Sequence, residues 1–324
     1  MSKKILITGA CGFIGSHLSE LFVKKGYKVS AFDRYNSTYN LGHLKNSEFK
    51  KDINFLFGDI RDYDSVFKAS KGKDIILHLA ALVGIPYSYY SPLAYIKTNI
   101  EGTYNVLETS KNLNIDQLIV TSTSETYGSA KSIPIKENHR LIGQSPYSAS
   151  KISADQLSIS YCRSFKLPVK IIRPFNTFGP RQSSRAVIPS IITQALDNKN
   201  IKLGNLNTTR DFTYVTDICD AYLKLMKINN FYGQPINVGS NKELSIFEIA
   251  KKIVKIINPK LKIIVEKRRI RPSQSEVMRL KCDNKLILNK CSWRPKVNFN
   301  QGLLKTIEWI KSQENFENSD IYRI

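Results

Sequence analysis

Short apolar and β-branched runs alternate with longer amphipathic stretches through the first half of the chain. The runs at 5–8, 27–33, 53–58, 74–80, 117–122 and 169–174 each have strand length, and a later one lies at 235–239. The stretches between them have helical spacing. After Gly15, Leu18, Leu21 and Phe22 fall at i, i+3 and i+4, Lys24 and Lys25 occupy the last turn, and Gly26 ends the helix. This βαβ rhythm predicts an α/β fold with a Rossmann-like doubly wound parallel sheet. Beyond Arg173 the rhythm breaks. Pro174, Pro180 and Pro189 punctuate a loop-rich stretch, and 244–257 and 301–311 read as separate amphipathic helices. The expected organisation is one domain over 1–175 plus about 216–240, and a smaller discontinuous C-terminal domain over about 176–215 and 241–324. The second supplies one wall of a cleft at the carboxyl ends of the strands.

Composition narrows the picture. At 324 residues, roughly two domains of about 150 residues are expected. Lys plus Arg number 49 against 27 Asp plus Glu, a net charge of +22. Such a surplus invites nucleic-acid binding. The lysines are scattered through a chain rich in Asn and Ile, however, and read as solvated surface that at most steers an anionic ligand. The five cysteines are odd in number and form no C-x-x-C pair, so neither a disulfide framework nor a metal site is expected, and a reducing cytoplasm fits. The N-terminus runs straight into a strand, leaving no room for a signal peptide. No stretch approaches 18 apolar residues, and the longest candidate, 75–86, is broken by His78. A soluble protein with no membrane partner is expected.

The first strand runs into Thr8-Gly9-Ala10-Cys11-Gly12-Phe13-Ile14-Gly15 and then a helix. Glycines at this spacing permit a tight turn, close approach of backbone to a pyrophosphate, and close helix-on-strand packing, while the helix N-terminus stabilises negative charge. Asp33, at the end of the next strand, can accept hydrogen bonds from an adenosine ribose and would repel a 2′-phosphate, which favours NAD over NADP. Arg34 beside it argues the other way, but less strongly.

Farther on, Ser145 and Pro146 have the residue types of a helix N-cap and first position, which stacks Tyr147 and Lys151 on one helix face. A cationic lysine near a phenol favours the phenolate and brings a group of pKa about 10 toward useful base strength. His78, on an apolar strand, reads as a core histidine.

Taken together, Gly9-x-x-Gly12-x-x-Gly15, Asp59-Ile60-Arg61-Asp62, His78-Leu79-Ala80-Ala81, Asn99-x-x-Gly102-Thr103, Tyr147-x-x-x-Lys151 and Arg173-Pro174-Phe175-Asn176 resemble the extended short-chain dehydrogenase/reductase family, in its nucleotide-sugar epimerase and dehydratase branch. The likeness covers nearly the whole chain. It implies NAD as cofactor, with Phe13 and Ile14 in the glycine loop, Asp59 and Ile60 on the adenine, Leu79, Ala80, Ala81 and Asn99 at the cofactor cleft, and Tyr147 and Lys151 in catalysis and on the nicotinamide ribose. It also implies a homodimer.

Thr123-Ser124-Glu125 ends the strand before the Tyr147 helix. The resemblance places Thr123 on the sugar O4 and makes Glu125 the discriminating group, because a carboxylate beside a 4-keto sugar can remove the C5 proton. A 4,6-dehydratase is therefore implied: C4 oxidation, loss of water across C5 and C6, and return of the hydride to C6. Many such enzymes have Asp where this chain has Ser124. The Thr-Ser-Glu version also occurs in UDP-glucuronate decarboxylases, which leaves that activity and 4-epimerisation as rivals. A nonenzymatic NAD-sensing or nucleic-acid-binding module on the same fold is the alternative of another class.

Asn176, Arg210 and Arg271 fall in the second domain, and arginine forks suit a diphosphate. Arg181 and Arg185 are weaker candidates, and Arg279 has no assigned role. The stretches from Ala81 to Tyr89, Gly143 to Ser148 and Arg185 to Pro189 look like the dehydratases that open the legionaminic acid route, which act on UDP- or GDP-linked N-acetylglucosamine (GlcNAc). On that likeness Pro86, Tyr87 and Ser88 would line the sugar pocket near C6.

Overall fold

A computed structural model of the chain describes residues 2–313. Its central sheet contains β1 (Lys4–Thr8), β2 (Lys28–Arg34), β3 (Ile53–Gly58), β4 (Ile75–His78), β5 (Gln117–Thr121), β6 (Val169–Pro174) and a last strand at Pro235–Val238. The spatial order is last strand, β6, β5, β4, β1, β2, β3, and every neighbouring pair is parallel. The order reverses between β4 and β1, so a crevice opens there at the carboxyl ends of the strands.

Both faces of the sheet are covered, which is why β4 and β6 are buried along their whole length. Helix α1 (Phe13–Lys24) follows β1 and α2 (Tyr63–Ser70) follows β3. Between β4 and β5 the chain forms α3 (Ile85–Tyr90), α4 (Pro92–Tyr95), a π-helical turn at Ile96–Glu101 and α5 (Gly102–Asn112). The long helix α6 (Pro146–Phe165) lies between β5 and β6. Successive β1 side chains go to opposite sides, as the two-residue period of a strand requires. Ile5 and Ile7 pack with Leu18 and Phe22 of α1 and with Ile218 and Tyr222 of the helix Val215–Met226. Leu6 packs on the other face with Val66, Val106 and Tyr161 of α2, α5 and α6.

After β6 the chain turns into Asn176–Phe178, which pairs with Thr209–Tyr214 in a small sheet completed by Glu243–Ser245 and Arg279–Leu280. Helices Val187–Leu196, Ile246–Ile257 and Phe299–Lys311 pack beside it. Two local expectations change. Pro189 does not interrupt a loop but lies in the first turn of Val187–Leu196, where no helical carbonyl awaits its missing N–H. Leu244 belongs to a strand, and the following helix starts at Ile246 because Ser245 caps it: Ser245 Oγ accepts from Glu248 N, and the Glu248 carboxylate accepts from Ser245 N. Among the described residues no helix is long and apolar enough to cross a membrane, and no cluster of His, Cys, Asp or Glu could hold a metal.

Candidate active site

A cleft of about 1140 Å³ lies over the carboxyl ends of the strands at the crossover point. At one end is the glycine loop. Gly9 has φ +69°, and a Cβ there would come within 2.9 Å of the Ala80 backbone. A Cβ on Gly15 would lie 2.1 Å from the Gly9 carbonyl, so only glycine lets α1 start this close to β1. No side chain caps the helix, and its first residues Phe13, Ile14 and Gly15 line the cleft. Asp33 also lines it, accepting from Cys11 N at 2.7 Å and from Arg34 N at 2.8 Å. Burial, reinforced by the Asp33 carboxylate, pushes the Cys11 thiol up to about 12, so it stays neutral. An uncapped helix start, backbone brought to the surface by glycines, and a carboxylate ending β2 fit a pyrophosphate and an adenosine ribose.

Asp59 lines the same end, and its hydrogen bonds from Arg61 hold its carboxyl below the ordinary range. Ile60 beside it packs on Gly102, where a Cβ would meet its side chain at 2.6 Å. Leu79, Ala80 and Ala81 form the floor. Thr8 Oγ1 accepts from the Leu79 and Ala80 amides, which leaves its proton for His78 Nδ1 at 2.8 Å. His78 is therefore assigned the Nε2–H tautomer, donating to Thr103 Oγ1 at 3.2 Å, and burial drives its pKa down to about 3. It is a neutral core histidine. Asn99, expected on the cofactor, is turned inward instead: its amide bonds both backbone groups of Leu82 and Ser150 Oγ. The π-helical turn that carries it rotates the side chain away from the cleft and into the α6 contact.

The other end is built by α6 and the segment after β5. Ser145 and Ser148 cap the helix reciprocally, Ser145 Oγ accepting from Ser148 N and Ser148 Oγ from Ser145 N. With Pro146 leading, Tyr147 and Lys151 come to one face and both line the cleft. The expected influence of Lys151 on the phenol is not the main one. Lys151 Nζ donates to the Thr121 carbonyl at 2.5 Å, and burial lowers its pKa to about 8 against the pull of Asp155. Tyr147 is pushed up by burial, opposed by a hydrogen bond with the Thr123 hydroxyl.

Thr123 Oγ1 accepts from Glu125 N and opens a turn over Ser124–Tyr127, aiming Ser124 and Glu125 into the cleft. Glu125 is nearly buried. Its Oε1 lies 3.9 Å from Arg210 Nε, and its Oε2 is sealed from solvent with no hydrogen-bond partner.

Arg271 lines the opposite wall, and Arg210 stands buried behind it. Glu276 joins them through one oxygen, 3.4 Å from Arg271 Nη1 and 3.7 Å from Arg210 Nη2. Asn176 lines the cleft with its Oδ1 buried and unpartnered. Sequence reasoning missed Glu276 and also Gln182, whose Oε1 is likewise orphaned at the cleft. Of Pro86, Tyr87 and Ser88, only Tyr87 reaches the cleft lining. Helix α3 turns Pro86 away and buries Ser88, whose Oγ donates to the Ile85 carbonyl. Arg185 is exposed and outside the lining. Arg181 pairs with Glu20 at 2.9 Å, and Arg279 with Glu243 at 2.7 Å.

Known proteins resemble the chain over nearly its whole length. A family model described as GDP-mannose 4,6 dehydratase matches residues 6–306. The chain is 33% identical to a UDP-N-acetyl-alpha-D-glucosaminuronate decarboxylase of Bacillus cytotoxicus, covering 97% of this chain and 100% of that one. It is 30% identical to the human dTDP-D-glucose 4,6-dehydratase, covering 98% and 92%. The structure of a UDP-glucuronic acid 4-epimerase from Bacillus cereus, in complex with UDP-glucuronic acid and NAD, superposes with a TM-score of 0.88 at 31% identity, covering 95% of this chain and 99% of that one.

Proposed function

This chain belongs to the extended short-chain dehydrogenase/reductase family, in its NAD-dependent nucleotide-sugar dehydratase and epimerase branch, and from that premise we propose that it is a 4,6-dehydratase of a nucleotide-linked GlcNAc. The observation that carries this reading is Glu125, a desolvated carboxylate at the cleft with one oxygen left unpaired beside Thr123 and Tyr147. An epimerase needs no such base, because it only removes and returns a hydride at C4.

The glycine loop, Asp33, Asp59 and the 79–81 floor hold NAD, and Lys151 reaches its nicotinamide ribose. When bound, NAD supplies the acceptor for the C4 hydride and later the donor to C6, and it ends the cycle unchanged. Tyr147, oriented by Thr123, takes the proton from O4 as C4 becomes a ketone; the charge of Lys151, joined by the positive nicotinamide of bound NAD, would offset the burial that otherwise keeps the phenol protonated. The ketone acidifies C5. Glu125 removes that proton, the C5–H electron pair forms the C5=C6 bond, and the C6–O bond breaks. Ser124 is a poor acid for the departing oxygen, so Glu125 hands on the proton it has just taken and water leaves. When the hydride returns to C6, C5 regains a proton, which balances the one Tyr147 took from O4. Arg271 faces the diphosphate with Arg210 behind it, and Asn176 and Tyr87 face the sugar.

The protein in this reading works in the cytoplasm as a homodimer. UDP-glucuronate decarboxylation is the second reading, favoured by Ser124 in the Thr123-Ser124-Glu125 run. Purified protein incubated with UDP-GlcNAc and GDP-GlcNAc should convert one of them to a product about 18 mass units lighter, the mass of the water lost. An isomer of unchanged mass would instead identify an epimerase, and carbon dioxide released from UDP-glucuronate a decarboxylase.

A further inference from the structure

Three residues that do not line the cleft meet at one hydroxyl. Ser275 Oγ donates to the Gln144 carbonyl at 2.6 Å and lies 2.6 Å from the Tyr89 hydroxyl. Because the single Ser275 proton goes to the carbonyl, Tyr89 is the donor to Ser275. The Gln144 side chain completes the junction, with Nε2 donating to the Gln274 carbonyl at 2.7 Å and Oε1 accepting from Ser129 N. Space here is tight: a Cβ on Gly128 would come within 2.6 Å of that Oε1. Ser275 is only 8% exposed, so its bonds are shielded from water.

Each participant lies within four residues in sequence of a functional residue lining the cleft. Tyr89 is two residues from Tyr87, Gln144 three from Tyr147, Ser129 four from Glu125, and Ser275 four from Arg271. Glu276, next in the chain, carries the connection inward. Its Oε1 reaches both Arg271 and Arg210, and Arg210 in turn reaches Glu125.

We propose that Ser275 is a positioning residue whose shared hydroxyl locks the Arg271 segment onto the start of α6 and onto α3, so that the diphosphate-facing Arg271, with Arg210 behind it, sits at a fixed distance from Glu125 and Tyr147. A nucleotide sugar gripped by its diphosphate is then delivered with the reacting sugar in register. This inference rests on the nucleotide-sugar reading of the cleft, but not on which reaction follows. A misplacement of about 1 Å costs on the order of a hundredfold in rate, so a lock between binding and chemical groups has a measurable effect.

The test uses NAD-loaded protein. The Kd of UDP and of GDP, which carry the diphosphate without the sugar, is measured by calorimetry, and kcat and KM are measured on the accepted nucleotide sugar. Ser275→Ala should weaken the preferred nucleotide about tenfold and lower kcat about tenfold, with the melting temperature nearly unchanged. Tyr89→Phe, which removes only a hydroxyl and serves if the first variant folds poorly, should move both quantities the same way by less. Adding Tyr89→Phe to Ser275→Ala should change nothing further, because the two remove one shared bond. Unchanged Kd and kcat in Ser275→Ala, or effects of the two substitutions that simply multiply, overturn the inference. So does a lower melting temperature with unaltered binding, which is what a purely structural hydroxyl gives. Failure of wild-type protein to bind either nucleotide overturns the nucleotide-sugar reading itself, and the inference with it.

Discussion

Asp155 Oδ2 lies 2.8 Å from Arg173 Nη2 and 2.9 Å from its Nε, and both side chains are sealed from solvent. Asp155 sits on α6 one turn beyond Lys151, and Arg173 lies near the end of β6. Ser122 Oγ donates to the same carboxylate oxygen at 2.8 Å, and Arg173 Nη1 reaches the Tyr127 hydroxyl. The pair therefore fastens the helix carrying Tyr147 and Lys151 to the strand ends that carry Thr123 and Glu125.

Asp155→Asn should strand a buried guanidinium without its counter-charge. Such losses destabilise by about 3–5 kcal/mol, and a denaturant melt measures the effect directly. A change below about 1 kcal/mol would mean that Arg173 finds another partner and that this ion pair does not fasten the helix.

Cofactor choice turns on Asp33. Asp33→Ser removes the charge that repels a 2′-phosphate and also the acceptor for Cys11 N. NAD affinity should fall by about tenfold while NADP gains relative to it, as titration of both cofactors would reveal. An unchanged affinity ratio would place the discrimination elsewhere in the loop.

His78 sets an acid limit on stability. Its pKa in the fold is about 3, whereas the unfolded chain protonates it near the ordinary 6.5. Below pH 6.5 the unfolded state binds a proton that the folded state refuses, so stability present above 6.5 declines as pH falls toward 3. One such site contributes a slope of up to roughly 1.4 kcal/mol per pH unit. His17, lowered to about 4 by burial, acts in the same direction. Thermal melts between pH 7.5 and 5 should show His78→Gln with a shallower loss than wild type; parallel curves would rule out this role for His78.

Features set by neighbours in sequence were legible in advance. The strand runs and the Ser145 cap depend on local spacing, and the structure places them within a residue or two of expectation. The Tyr147 and Lys151 face follows from the same helix, though not the hydrogen bond of Lys151 to the Thr121 carbonyl, which depends on the neighbouring strand. Helix phase explains the misses near the cleft. One residue in α3 separates Tyr87, at the lining, from buried Ser88, and a π-helical turn rotates Asn99 inward. The chain from Glu125 through Arg210 to Glu276 joins residues 85 and 66 positions apart, and no periodicity of the sequence encodes such a meeting.

Removal of the C5 proton by Glu125 is tested by a single-turnover experiment with Glu125→Gln. Mixed with the accepted nucleotide-linked GlcNAc, this variant should still reduce its bound NAD, seen as nicotinamide absorbance, yet release no product lighter by about 18 mass units. Dehydration at the wild-type rate by Glu125→Gln would contradict this role of Glu125.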